Sequence, residues 1–132
     1  MLIVYYSMTG NCRRFVNSSG IADEYETIEL KKDNIDDAID EPFLLVTPTI
    51  NFGEVPPMVQ RFLQKNHSQL IGVASSGNRN WGGNYAKAGD RISEDYHVPL
   101  IMKFELHGNE QSRKEFKEKV GALDESIRRE KV

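Results

Sequence analysis

The apolar stretch Leu2-Ile3-Val4-Tyr5-Tyr6 runs directly into Ser7-Met8-Thr9-Gly10-Asn11-Cys12, and this junction sets the architecture of the chain. The continuous apolar run predicts a buried strand, and the spacing of Cys12, Phe15 and Val16 predicts a helix. The first N–H groups of a helix lack intrahelical partners, and the helix dipole favours negative charge at that end. The turn between strand and helix is therefore either a phosphate-binding turn or an ordinary turn rich in Ser, Thr and Gly.

Length and composition restrict the class of protein. The 132 residues are 39% hydrophobic and 28% charged, which indicates one globular domain over residues 1–132. The net charge of −3 gives no long-range attraction for nucleic acid. No apolar segment approaches the roughly 20 residues that span a bilayer, and no signal-peptide pattern is present. We therefore expect a cytoplasmic protein without a membrane partner, and a monomer because no apolar surface stripe is evident.

Cysteine and histidine usage argues against two further kinds of site. One cysteine excludes an internal disulfide framework. The three histidines are scattered along the chain, so the sequence predicts no metal site.

Strand and helix patterns alternate along the chain. The predicted strands are Leu2–Tyr6, Tyr25–Leu30, Phe43–Thr47, Leu70–Ser75 and Leu100–Leu106. The first two predicted helices are Asn11–Asn17 and a helix from Pro56-Pro57 to Asn66. A third helix is predicted to carry Tyr85, Ala88, Gly89, Ile92 and Tyr96 on one face. The last helix is predicted to begin near Asn109–Ser112 and to fray over Glu125–Lys131. We also expect about one helical turn within Lys31–Glu41, with Ile35, Ala38 and Ile39 buried.

The hydrophobic pattern of each strand predicts its place in a sheet. The second and fifth strands alternate between apolar and polar residues, which is typical of edge strands. In the fifth, Leu100, Met102, Phe104 and Leu106 are predicted to share one face. The other three strands are mostly apolar and suit the centre. These patterns predict an α/β fold, a doubly wound five-stranded parallel sheet in the flavodoxin-like order 2-1-3-4-5 with helices on both faces.

The unusual residues fall in three loops that this order brings to one edge of the sheet. They are Ser7–Cys12, Pro48–Glu54 and Ser75–Gly83, which follow the first, third and fourth strands. Phe52 and Trp81 add two aromatic walls to the predicted phosphate cradle, although either ring alone suits a structural role. Together the loops predict a site for a flat, phosphorylated heterocycle.

The three loops also resemble a known family over essentially the whole chain. Ser7-Met8-Thr9-Gly10-Asn11 looks like the phosphate-loop signature of flavodoxins, and the segments 49–56 and 74–82 are similar to those of the NrdI proteins. These are flavodoxin-like activators of class Ib ribonucleotide reductase. The resemblance implies bound FMN, reduced by a flavin-reducing partner, that reacts with dioxygen. It also implies transfer of an oxidant, superoxide, to the dimanganese small subunit of the reductase, where a tyrosyl radical forms.

Site residues are carried over from this resemblance by motif. With the chemistry on FMN, it implies an accessory or activating protein without catalytic side chains. Ser7, Thr9, Gly10 and Asn11 would hold the phosphate, and Thr49, Asn51, Phe52, Gly53, Ser76, Gly77, Asn78 and Trp81 would flank the ring. The remaining predicted cofactor-binding residues are Met8, Cys12, Pro48, Ile50, Ser75 and Gly82.

Cys12 is the one departure from the flavodoxin pattern, and Arg79 is a further clue to the redox chemistry. Cys12 stands where flavodoxins usually have Thr, and it is either a small buried residue, which we favour, or a reactive thiol. Arg79 lies in a loop without Asp or Glu from Ser75 to Tyr85. A cation near the ring would stabilise an anion, so we expect closer one-electron potentials than in a shuttle flavodoxin. Arg79 is otherwise a solvated residue or a contact to the reductase.

Two other functions share this strand order. A general flavodoxin electron shuttle is the nearest alternative to an activator. A response-regulator receiver needs acidic residues after the first strand and Asp after the third, where this chain has Ser7, Thr9 and Thr47-Pro48-Thr49. That pattern argues against a receiver.

Overall fold

The computed structural model describes residues 1–130 and contains a five-stranded sheet. Its strands are β1 (Leu2–Tyr5), β2 (Thr27–Glu29), β3 (Phe43–Thr47), β4 (Leu70–Gly77) and β5 (Leu100–Glu105). The order is β2-β1-β3-β4-β5, and each neighbouring pair is parallel. The predicted fold class and strand order are confirmed.

The helices follow the strands as the pattern predicts. Residues 1–130 form α1 (Asn11–Ser19), α2 (Pro57–Asn66), α3 (Lys87–Tyr96) and α4 (Glu110–Glu130). Tyr85, predicted on the face of α3, precedes that helix. The fraying predicted for the end of α4 is untested, and Lys131 lies outside the described residues. Across residues 1–130, no helix has both the length and the apolar character needed to cross a membrane.

Apolar side chains cover both faces of the sheet. On one face the strands pack against Phe62 of α2 and Ile92 of α3. On the other they pack against Phe15 of α1 and Phe116 of α4, whose rings meet edge to face with centroids 5.0 Å apart. This two-sided burial explains the continuous apolar runs of the central strands.

The predicted alternation of β5 is wrong at the start of the strand. The register between β4 and β5 shifts after Val73, and Ile101 has no direct partner in β4. The irregularity changes which face the following side chains occupy. Leu100 therefore packs on the α2–α3 side, whereas Met102 packs on the α1–α4 side.

The segment Lys31–Glu41 forms turns rather than the expected helical turn. The Asn34 side chain accepts a hydrogen bond from the Lys31 N–H and donates one to the Glu29 carbonyl, at 2.8 and 2.9 Å. Such side-chain bonds compete with helical ones. Ile35 is buried as expected, but Ala38 is exposed, contrary to the prediction.

Candidate functional site

The carboxyl ends of β1, β3 and β4 open onto a cavity of about 380 Å³. Small-molecule sites typically occupy about 300–1,000 Å³. The three predicted loops meet here, because parallel strands bring the loops that follow them to one edge. The cavity is lined by Met8, Thr9, Asn11, Pro48, Thr49, Ile50, Asn51, Ser76, Gly77, Asn78, Trp81, Asn84, Ala86 and Leu106.

The first loop presents free backbone donors at the start of α1. Gly10 precedes the helix with φ of +91°, and a Cβ atom there would meet no atom within 4 Å. The Arg13 N–H donates to Ser7 Oγ at 3.3 Å. Within the described residues, the N–H groups of Asn11 and Cys12 have no acceptor. Unpaired donors at an open helix N-terminus fit a phosphate group.

Arg13, which follows these donors in α1, is already paired. Arg13 donates from Nε and Nη2 to the two carboxylate oxygens of Glu29, at 2.8 and 2.7 Å. Its guanidinium lowers the pKa of Glu29. Tyr5 also donates to Glu29, at 3.2 Å, and burial is the main cause of its raised pKa. An anion at the first loop would therefore meet backbone and hydroxyl donors beside a neutralised pair.

The second loop is a tight hairpin that holds Phe52 at its tip. Ile50 and Glu54 pair through two backbone hydrogen bonds of 3.0 and 2.8 Å. Asn51 and Gly53 adopt positive φ values of 48° and 91°. Asn51 also donates from Nδ2 to the Glu54 carboxylate at 3.1 Å. Phe52 is consequently 69% exposed.

Two predicted cofactor-binding residues, Thr49 and Ser75, also support the start of α3. Ser75 Oγ donates to the Ala86 carbonyl at 2.9 Å and accepts from the Gly89 N–H at 3.1 Å. Thr49 Oγ1 accepts from the Ala88 N–H at 3.2 Å. The two hydroxyls are 3.2 Å apart. They therefore satisfy helix-terminal groups, and of the two only Thr49 lines the cavity.

The third loop begins later than predicted. Ser76 and Gly77 belong to β4, because the strand continues to pair with β5 as far as Glu105. The stretch Arg79–Asn84 is 3₁₀-helical with a kink at Gly82, whose φ and ψ are 56° and −121°. This geometry brings Trp81 to the cavity.

The two predicted aromatic walls form one pair. The rings of Phe52 and Trp81 lie edge to face, with centroids 5.6 Å apart and planes inclined by 79°. Trp81 lines the cavity and Phe52 does not. Phe52 therefore packs against Trp81 and does not itself border the cavity.

The cavity lining carries no charged side chain within residues 1–130. Arg79 lies outside it, with its guanidinium 5.6 Å from the centroid of the Tyr85 ring. The backbone N–H of Arg79 donates to the Glu105 carboxylate at 3.1 Å. The expected cation at the ring is thus absent from the lining, and so are carboxylates. In the same residues, no group of three His, Cys, Asp or Glu side chains is arranged to hold a metal ion.

Cys12 is a core residue. Its side chain is 1% exposed and packs in the cluster that contains Phe15. Burial raises the pKa of its thiol. The favoured interpretation of a small buried residue is confirmed, and only the backbone of Cys12 faces the first loop. The other predicted site residues outside the cavity lining are Ser7, Gly10, Phe52, Gly53, Ser75 and Gly82.

Sequence reasoning missed three lining residues, Asn84, Ala86 and Leu106. Leu106 was expected to end β5 on the same face as Met102 and Phe104, but it lies beyond the strand and is 41% exposed. Its φ is 53°, and its carbonyl accepts from Ser76 Oγ at 2.7 Å. A bulky residue in this conformation carries backbone strain. An apolar residue two positions before Gly108 was the available signal.

Comparisons with known proteins agree with this fold. The family model described as NrdI flavodoxin-like matches residues 3–118. The structure is similar to a short-chain flavodoxin associated with a PDU bacterial microcompartment, with a TM-score of 0.72 and 18% identity over 95% of this chain and 96% of that chain. It is also similar to a mutant flavodoxin of Fusobacterium nucleatum bound to flavin mononucleotide (TM-score 0.64, 17% identity, 95% of both chains). For oxidised flavodoxin 1 from Bacillus cereus the values are 0.60, 14% and 96% of both chains.

Proposed function

The chain belongs to the NrdI flavodoxin-like family, and from this premise we propose that it binds FMN and activates class Ib ribonucleotide reductase. Reduced by a flavin-reducing partner, the protein reacts with dioxygen and supplies superoxide for assembly of the dimanganese–tyrosyl radical cofactor of the small subunit. FMN, when bound, supplies the redox chemistry, and the chain binds and orients it. The protein acts as a single-domain monomer in the cytoplasm.

The observation that carries this proposal is an uncharged cavity that extends from a phosphate-type helix terminus to an aromatic side chain. At one end are the free N–H groups of Asn11 and Cys12, and Trp81 lies in the lining. A phosphate and a flat ring require these two kinds of contact. The residues present therefore fit FMN.

Each loop has a distinct part in binding. The N–H groups of Asn11 and Cys12 and the Thr9 hydroxyl hold the phosphate, while Ser7 caps the Arg13 N–H and leaves the earlier donors free. The ring is flanked by lining residues of the second and third loops: Pro48, Thr49, Ile50, Asn51, Ser76, Gly77, Asn78 and Trp81.

The absence of charge in the described lining favours the activator over a shuttle. Carboxylates close to a ring penalise its anionic form, because like charges repel more strongly where water is excluded. The carboxylate of the second loop, Glu54, accepts a hydrogen bond from Asn51. A lining without carboxylates leaves out that penalty and supports closely spaced one-electron potentials.

The decisive test uses the FMN-loaded protein with a manganese-loaded class Ib small subunit. The reduced protein is mixed with the subunit and dioxygen, and the tyrosyl radical is measured by electron paramagnetic resonance. We expect radical formation that depends on both FMN and dioxygen and is suppressed by a superoxide scavenger. A reduced shuttle flavodoxin serves as the matched control.

Failure to form the radical would overturn the activator role. If the protein instead transfers electrons to flavodoxin-dependent acceptors as fast as the control does, the electron shuttle is the better description. Purified protein that retains no flavin and does not bind added FMN would overturn both functions.

A further inference from the structure

Arg91 on α3 holds the carbonyl of Gly53 in the second loop. Its Nε donates to the Gly53 oxygen at 2.6 Å. Arg91 lines a second cavity of about 300 Å³, together with residues of α2 and with Glu54. Neither Arg91 nor Gly53 lines the cofactor cavity. The Gly53 carbonyl is therefore directed toward α3, behind the hairpin.

The peptide between Gly53 and Glu54 is held at both of its polar ends. The Glu54 N–H donates to the Ile50 carbonyl at 2.8 Å, and the Gly53 carbonyl accepts from Arg91. Rotation of this peptide would break both hydrogen bonds. By contrast, the described residues provide no donor for the Phe52 carbonyl at the tip.

Packing fixes the same residue from the other side. Gly53 has φ of +91°, and a Cβ atom there would lie 3.0 Å from Cβ of Lys87 and 3.3 Å from Oδ1 of Asn84. Asn84 lines the cofactor cavity. The hairpin thus rests directly against the segment that leads into α3, and Asn84 of that segment separates Gly53 from the cofactor cavity.

Arg91 makes this bond although carboxylates are close by. Glu54 and Asp95 line the same cavity. Among residues 1–130, Arg91 nevertheless forms no ion pair, and its recorded hydrogen bond goes to the Gly53 carbonyl. A guanidinium donor gives a stronger bond to a carbonyl than a neutral donor does.

We propose that Arg91 is a positioning residue that latches the Gly53–Glu54 peptide with its carbonyl turned away from the cofactor cavity. This inference rests on the proposed binding of FMN. While the latch is closed, the Gly53 carbonyl cannot accept a hydrogen bond from a protonated ring. Hydrogen bonds to the flavin ring tune its redox properties, so Arg91 controls the balance between the two one-electron steps.

The first experiment needs no cofactor. Amide hydrogen exchange is measured at Glu54 in the cofactor-free wild type, in Arg91→Ala and in Arg61→Ala. Arg61 is a matched control, because it is exposed on α2 and pairs with Asp36, away from the hairpin. Loss of one hydrogen bond predicts about tenfold faster exchange at Glu54 in Arg91→Ala, with no change in Arg61→Ala.

The second experiment uses the FMN-bound proteins. Spectroscopic redox titration gives the ratio of the two one-electron reduction constants. We expect this ratio to change by about tenfold in Arg91→Ala in favour of the first step, which corresponds to one released hydrogen-bond acceptor. Arg91→Lys retains a cationic donor, and it should restore part of the effect. Arg61→Ala should match the wild type.

The outcomes separate this inference from the proposed function. Unchanged exchange at Glu54 in Arg91→Ala would overturn the latch while leaving FMN binding intact. Faster exchange with an unchanged ratio of reduction constants would overturn its redox role. A wild type that binds no FMN would overturn the proposed function and, with it, the latch's role toward the ring.

Discussion

The rings of Phe52 and Trp81 meet edge to face across two loops, with centroids 5.6 Å apart. Phe52 lies at the tip of the Ile50–Glu54 hairpin, and Trp81 lies in the 3₁₀ segment after β4. Both rings are largely exposed, at 69% and 48%. The contact therefore adds to the packing of the second loop against the third, and only Trp81 of the pair lines the cavity.

This arrangement predicts unequal effects of removing the two rings. An aromatic pair is worth roughly 0.5–1.5 kcal/mol beyond its buried area. Trp81→Ala should weaken FMN binding by about tenfold or more, and Phe52→Ala by less. The double variant should bind little worse than Trp81→Ala, because Phe52 acts through Trp81. Flavin fluorescence titration measures all three, and a larger loss in Phe52→Ala than in Trp81→Ala would contradict the arrangement.

Gly10 and Gly20 offer a matched test of the phosphate turn at the two ends of α1. Both adopt left-handed φ values, +91° and +76°. Ala at either position should lower the unfolding free energy by about 1 kcal/mol. We expect only Gly10→Ala to weaken FMN binding, because Gly10 directly precedes the free donors of Asn11 and Cys12, whereas Gly20 follows the other end of α1. Equal losses of affinity in both variants would indicate a general effect on α1. Urea unfolding and FMN titration provide the two measurements.

Ser75→Ala should destabilise the fold more than its small change in size suggests. The buried Oγ bonds to Ala86 and Gly89, and its loss leaves these groups of the α3 terminus with only the 3.3 Å bond between the Gly89 N–H and the Ala86 carbonyl. A buried hydrogen bond contributes about 0.5–1.5 kcal/mol net, so the loss of two predicts a decrease of about 1–3 kcal/mol. Ser18→Ala, at an exposed position on α1, is the control and should change stability by less than about 0.5 kcal/mol. Equal stability of the two variants in chemical denaturation would argue against the cap.

The Arg13–Glu29 pair predicts a pH dependence of stability. Arg13 lowers the pKa of Glu29 in the folded chain. The stabilisation is therefore present above the ordinary glutamate pKa of about 4.3 and is lost as pH falls through the lower folded value. Glu29→Gln should be less stable than the wild type at neutral pH, and the difference should shrink below about pH 4.3. Glu118→Gln, exposed on α4, is the control. Denaturant unfolding at a series of pH values measures the difference in unfolding free energy between Glu29→Gln and the wild type. A difference that stays constant from pH 7 to acid pH would contradict the contribution of the ion pair.

Hydrophobic patterning was sufficient to predict the sheet. The bounds of β3 match the predicted Phe43–Thr47 range, and the alternating strands lie at the edges. The pattern failed at β5 because a register irregularity after Val73 changes side-chain direction without any change in composition. The helical turn predicted within Lys31–Glu41 was wrong because the hydrogen bonds of the Asn34 side chain replace helical ones.

The parts of the site that depend on the position of a loop or on the type of a side chain were predictable from the sequence. The three loops meet as expected, and Trp81 lines the cavity. The contact from Arg91 was not predictable, since its acceptor is a backbone carbonyl and carries no sequence signal. The support of α3 by Ser75 was hidden for a similar reason, because it depends on how β4 and the start of α3 approach each other.

The uncharged lining of the cavity has a consequence for how binding responds to solution conditions. A site that recognises phosphate with lysine or arginine loses affinity as salt screens the attraction. Here the donors at the first loop are backbone N–H groups, and Arg13 is already neutralised by Glu29. Cofactor retention should therefore depend only weakly on ionic strength. Above the phosphate's own pKa of about 6, it should also be nearly constant with pH.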